Sequence, residues 1–183
     1  MPTDKTPTLL TPAQRAQFVL IPDDLSDREI ARFYTFTAPE LAVIKRHRRP
    51  VNQLGFAVQL ALLRFPGRTL TDLPDIPVRV LSYIAGQVRV PPTASADYGY
   101  RENTLYEHLD EIRAHFGFRN YGWREMRAAM RALLPTAMES DRIIPLIEAA
   151  LDYLRQHQII APGMTTIERL VWRVRGARCS ASR

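Results

Sequence analysis

Apolar residues recur along this chain at three- and four-residue spacing, the period of an amphipathic helix, and no sustained alternation marks a sheet. Leu54, Val58, Ala61 and Leu62 line one face, and Phe65 continues it. Leu105, Leu109, Ile112 and Phe116 repeat the pattern, and Gly117 follows where a helix stop belongs. Ile144, Ile147, Leu151 and Leu154 make another stripe, and Met126, Met130, Leu133 and Leu134 the buried side of a further helix. Helix starts are also written in the chain. A Ser or Thr followed three residues on by Glu can satisfy two free amides at a helix N-terminus. This pairing occurs at Ser26/Glu29, Thr37/Glu40, Thr104/Glu107 and Thr165/Glu168. These signals predict helices over 11–20, 26–36, 39–47, 51–65, 77–89, 104–116, 121–134, 142–157 and 165–175. The fold class is all-α, two packed helical lobes of helix-turn-helix type.

The stretch from Val90 to Asp97, with paired prolines and small polar residues, reads as a linker or an ordered loop. It separates an N-terminal helical lobe, 1–90, from a second helical lobe, 98–175. Residues 176–183 carry no apolar pattern and read as a disordered tail.

Composition sharpens this picture. The 183 residues are 46% hydrophobic and 24% charged, enough to bury a core and to exclude wholesale disorder. The net charge is +6, and of the 25 basic residues only Lys5 and Lys45 are lysine. Arginine bonds phosphate and guanine bidentately, so the bias fits nucleic acid, although a GC-rich genome favours arginine codons equally. The single Cys179 excludes an internal disulfide framework and any multi-cysteine metal site. No apolar run approaches a membrane span or a signal-peptide core, and a cytoplasmic protein, nucleoid-associated when bound, is expected.

Candidate enzyme chemistry is sparse. Asp23-Asp24 and Asp72/Asp75 lie in Pro-bearing turns, where capping explains them. His108 and His115 are seven residues apart, without the carboxylate or cysteine that would complete a zinc set. There is no glycine-rich phosphate loop and no serine in a nucleophile elbow. No catalysis, metal or cofactor is expected.

The basic clusters say more. Lys45, Arg46, Arg48 and Arg49 put four positive charges in five residues between two predicted helices, with Asn52 and Gln53 in the first turn that follows. A free helix N-terminus attracts phosphate, and Asn or Gln can read adenine edges. The plainer reading is a solvated charge run at a helix C-terminus. A second cluster follows Gly117: Arg119, Asn120, Tyr121, Trp123, Arg124, Arg127 and Arg131. Arg124, Arg127 and Arg131 step by three and four and form one ridge, and a glycine turn before a basic helix is helix-turn-helix logic. Tyr121 and Trp123 suit core packing and sugar–phosphate contact equally.

Several segments resemble the start of replicative transposases of the Tn-three family of class II transposons. These are Ile21-Pro22-Asp23-Asp24-Leu25 running into Phe36-Thr37, and the run from Leu54 through Gly55-Phe56-Ala57-Val58-Gln59 to Phe65-Pro66-Gly67-Arg68. Pro77, Val80, Leu81, Ile84, Ala85, Tyr100, Arg101, Thr104, Glu107 and His108 add to them, as do Gly117-Phe118-Arg119 and the run from Pro162 to Val171. The resemblance implies an all-helical, tandem helix-turn-helix region that recognises the terminal inverted repeats of the transposon. It also implies that the RNase H-like catalytic domain, with two Asp and one Glu holding magnesium, lies beyond this chain, which stops at residue 183. The expected function is non-catalytic, sequence-specific binding of double-stranded DNA. The candidate contacts are Lys45, Arg46, Arg48, Arg49, Asn52, Gln53, Arg68, Arg101, Arg119, Asn120, Tyr121, Arg124, Arg127 and Arg131. The alternative is a truncated remnant that pairs with an intact transposase, or is inert.

Overall fold

The structure, a computed structural model, describes residues 9–73, 75–98, 102–139 and 142–181. Among these residues the chain forms α1 (Pro12–Val19), α2 (Asp27–Tyr34), α3 (Ala38–Ile44), α4 (Pro50–Arg64), α5 (Val78–Val88), α6 (Glu102–Phe116), α7 (Trp123–Glu139), α8 (Ile143–Gln156) and α9 (Met164–Ala181). Two short strands, β1 (Arg119–Asn120) and β2 (Ile159–Ile160), pair in a two-stranded sheet. The all-α class holds.

The chain divides into two compact units, Leu20–Arg119 and a discontinuous unit joining residues up to Val19 with those from Asn120 onward. The expected boundary at 90–97 is therefore corrected. Residues Pro92–Asp97 form a 3-10 helix packed on α4, and α6 packs on the same helix.

In the Leu20–Arg119 unit, α4 is the central element. Leu54 to Leu63 are buried without interruption, so the single apolar stripe was too narrow a reading. A helix covered on every side needs apolar or satisfied residues all round, and α2, α3, α5 and α6 supply that cover. The caps at Ser26 and Thr37 form as read. The Glu29 and Glu40 carboxylates accept from the cap amides at 2.9 and 2.6 Å. Glu40 also meets Arg64 Nη1 at 3.4 Å, tying α3 to the end of α4. The Tyr98 ring lies so close over Gly55 that an added Cβ would stand 2.0 Å from its Cδ2 and Cε2.

In the discontinuous unit α7, α8 and α9 enclose a core built on Leu133, Leu146, Ile147, Leu154, Ile167 and Val171. Leu10, just before α1, is buried in the same core. Two of the four expected caps are not formed. α6 begins at Glu102, which places Thr104 inside its first turn. α9 begins at Met164, and Glu168 turns away from Thr165. Its carboxylate accepts from Arg15 Nε at 2.6 Å, Arg15 Nη2 at 2.9 Å and the Leu9 amide at 3.1 Å. Glu168 is thereby buried with its partners supplied, as a buried carboxylate requires.

Two helices run past their expected ends. α7 continues through Pro135 to Glu139, because Leu133 and Ala137 bury on either side of the proline and offset the lost hydrogen bond. α9 continues to Ala181, so residues 176–181 of the expected tail are helical, while 182 and 183 lie outside the described residues; Leu170, Val171 and Val174 hold the helix against the core. α6 stops where the glycine predicted it should: Gly117 takes φ 77° and its amide still reaches the Arg113 carbonyl at 3.0 Å.

Candidate nucleic-acid interface

The turn from Lys45 to Arg49 joins α3 to α4. Lys45, Arg46, Arg48 and Arg49 are all exposed, and none is paired with a carboxylate among the described residues. Arg49 is the N-cap of α4 and makes no side-chain cap. Pro50 opens the helix with its fixed φ and no N–H. The positive end of the helix dipole therefore emerges amid four cationic side chains, which attracts an anion. Because Leu54 to Leu63 are buried, α4 meets solvent only at this first turn and at Arg64 at its other end.

His47, in the middle of the turn, points inward. Its ring lies 4.4 Å from Phe56 and 4.5 Å from His108, with Nε2 3.7 Å from Glu111 Oε2. Burial lowers its pKa, and Glu111 opposes the shift. His108 Nδ1 is 2.7 Å from the Tyr98 hydroxyl, to which Gln59 Nε2 donates at 2.6 Å. Burial, then the neighbouring His47, lowers the His108 pKa to about 4. A buried polar row thus fixes the turn from within. Gln53 belongs to the same anchoring: its Nε2 donates to the His47 carbonyl at 2.7 Å. Its donor is committed to the turn, whereas the equally half-buried Asn52 beside it makes no side-chain hydrogen bond among the described residues.

Other expected contacts fall elsewhere. Arg68 is buried, 3% exposed, with burial pushing its pKa down and Asp72 opposing, so it cannot reach a phosphate. Arg101 lies outside the described residues. Arg119 and Asn120 are exposed on β1. Tyr121 packs against the core of the discontinuous unit with its hydroxyl enclosed, which leaves it no outward role. Arg124, Arg127 and Arg131 are exposed along α7 as the ridge required. The first cluster and Arg119 belong to the Leu20–Arg119 unit, and Asn120, Arg124, Arg127 and Arg131 to the discontinuous one.

Trp123 is 66% exposed, and the Arg127 guanidinium sits 5.9 Å above its ring. Arg173, absent from the expected contacts, joins the ridge from α9, 3.2 Å from Met126 Sδ. No local pattern announces it, since only the packing of α9 on α7 brings it there. Among the described residues no three His, Cys, Asp or Glu stand close enough to hold a metal ion, and no helix is long and apolar enough to cross a membrane.

Residues 9–174 match the family model described as a domain of unknown function, DUF4158. The chain is similar to the transposase for transposon Tn1546 of Enterococcus faecium, 41% identical over 167 residues that make 91% of this chain and 17% of that protein. It is 38% identical over 164 residues to the transposase for transposon Tn21 of Escherichia coli, 88% of this chain and 16% of that one. With the transposase for transposon gamma-delta of Escherichia coli strain K12 it shares 30% identity over 178 residues, 96% and 17% of the two chains. The chain spans 16–17% of the length of these relatives.

Proposed function

We propose, from the premise that this chain belongs to the DUF4158 family and shares its sequence with part of several transposases, that it binds DNA without catalysis and recognises a transposon's terminal inverted repeats. The observation that carries this reading is the exposed turn from Lys45 to Arg49 at the open N-terminus of α4. Arg46, Arg48 and Arg49 anchor phosphates there, and Asn52 reads a base edge. Arg119, Asn120, Arg124, Arg127 and Arg131 supply a second set of contacts. Intact transposase is a further partner this reading admits. A bound complex would reside with the bacterial nucleoid in the cytoplasm.

The test is fluorescence anisotropy at near-physiological salt, comparing a duplex bearing the terminal inverted repeat of a related transposon with a shuffled duplex of equal length. A preference of tenfold or more, about 1.4 kcal/mol, supports recognition of the ends. Equal or absent binding overturns it. Arg49→Ala is expected to weaken binding to both duplexes and flatten the log–log salt slope by about one unit. Asn52→Ala is expected to cost about 1–3 kcal/mol on the repeat alone. Equal losses on the two duplexes would remove Asn52 from base reading.

A further inference from the structure

Between α7 and α9 runs an apolar groove of about 430 Å³. Met126, Met130, Leu134 and Ala177 form its floor, Trp123 closes one end, and Arg127, Arg131 and Arg173 stand along it. We propose that this groove seats an amphipathic α-helix with acidic flanks, contributed by a partner protein.

Length, chemistry and charge converge on that occupant. From Trp123 to Leu134 the groove follows α7 for about 16 Å, three turns at 1.5 Å per residue, long enough for apolar anchors at i, i+3 or i+4, i+7 and i+11 of a docked helix. The floor gains by covering apolar surface, and methionine adapts to varied side chains. A phosphate backbone would gain nothing from that floor. Arg127 and Arg131 are one turn apart on α7, and Arg173 faces the groove from α9. Among the described residues none of the three is paired with a carboxylate, and no carboxylate lines the groove. Carboxylates flanking the apolar stripe of the incoming helix complete these arginines.

Arg127 and Arg131 also serve the DNA reading, but the groove does not depend on it, and separate probes separate the two. Trp172→Phe leaves Trp123 as the sole tryptophan of the chain, a reporter at the mouth of the groove. The full chain carrying this change is titrated with a tryptophan-free synthetic helix of about four turns, leucine on one face and glutamate on both flanks. A twin peptide carries lysine in place of glutamate, and a DNA duplex forms the third arm. The expected result is a saturable blue shift of Trp123 emission with the glutamate peptide, at least tenfold weaker with the lysine twin. Met130→Asp, checked for helical content by circular dichroism, is expected to abolish the shift, and Arg131→Ala to weaken it severalfold. Equal response to both peptides, or response to neither, overturns the proposal. So does a shift produced by the duplex alone, which would assign the groove to nucleic acid.

Discussion

Replacing Gly55 by alanine is expected to destabilise the protein by about 3 kcal/mol, although alanine is the better helix former by about 1 kcal/mol. The added methyl would lie 2.0 Å from two carbons of the Tyr98 ring and 2.3 Å from Cγ, at the ring's root. That ring cannot swing clear cheaply, because its hydroxyl is held by Gln59 and by His108. α4 would have to move instead, and it is packed on every side. Gly86 in α5 is the matched control. Nothing lies within 4 Å of a Cβ built there, and Gly86→Ala is expected to raise stability by about 0.5–1 kcal/mol. Urea midpoints of the two variants check the pair. If Gly55→Ala unfolds no earlier than Gly86→Ala, Tyr98 is not the rigid neighbour its hydrogen bonds imply.

Acid should weaken the same region. The His108 imidazole is only 5% exposed, and burial together with the adjacent His47 lowers its pKa from 6.5 to about 4. In the unfolded chain it returns to the ordinary value. Between these two pKa values the unfolded chain holds a proton that the folded chain refuses, so stability rises with pH across this window. The contribution is fully present above about pH 6.5 and falls as the pH drops toward 4, by about 3 kcal/mol in all. His47 is shifted the same way, with Glu111 moderating it, and adds to the loss. Urea denaturation at neutral pH and near pH 4 measures it, with His108→Asn as the comparison. The variant is expected to start less stable and lose less on acidification. Parallel losses in the two proteins would clear His108 of the effect.

Much of this architecture was legible in the sequence, and the exceptions share a cause. Helix positions followed from apolar spacing and from Ser26/Glu29 and Thr37/Glu40, since both signals act within one helix. The Thr165/Glu168 pair carries the same letters and means something else. Arg15, far away in sequence, reaches Glu168 and displaces the local cap. The pattern of α4 suggested one buried face, because a sequence does not state how many neighbours a helix will have. Of the candidate contacts, the exposed turn was readable as a charge run, yet the inward turn of Gln53 and the burial of Arg68 depended on the folded surroundings. The groove was hidden for a related reason: its walls are α7 and α9, which meet only after α8 has folded back.

The division of the chain has a consequence for the order of synthesis. Residues Leu20–Arg119 form a unit whose parts are all present once Arg119 has left the ribosome. α1 is made before that unit and its partner after it, for Arg15 waits 153 residues for Glu168. α1 therefore settles only after the unit that follows it is complete, and a chain halted between Arg119 and α9 leaves that helix without its partner.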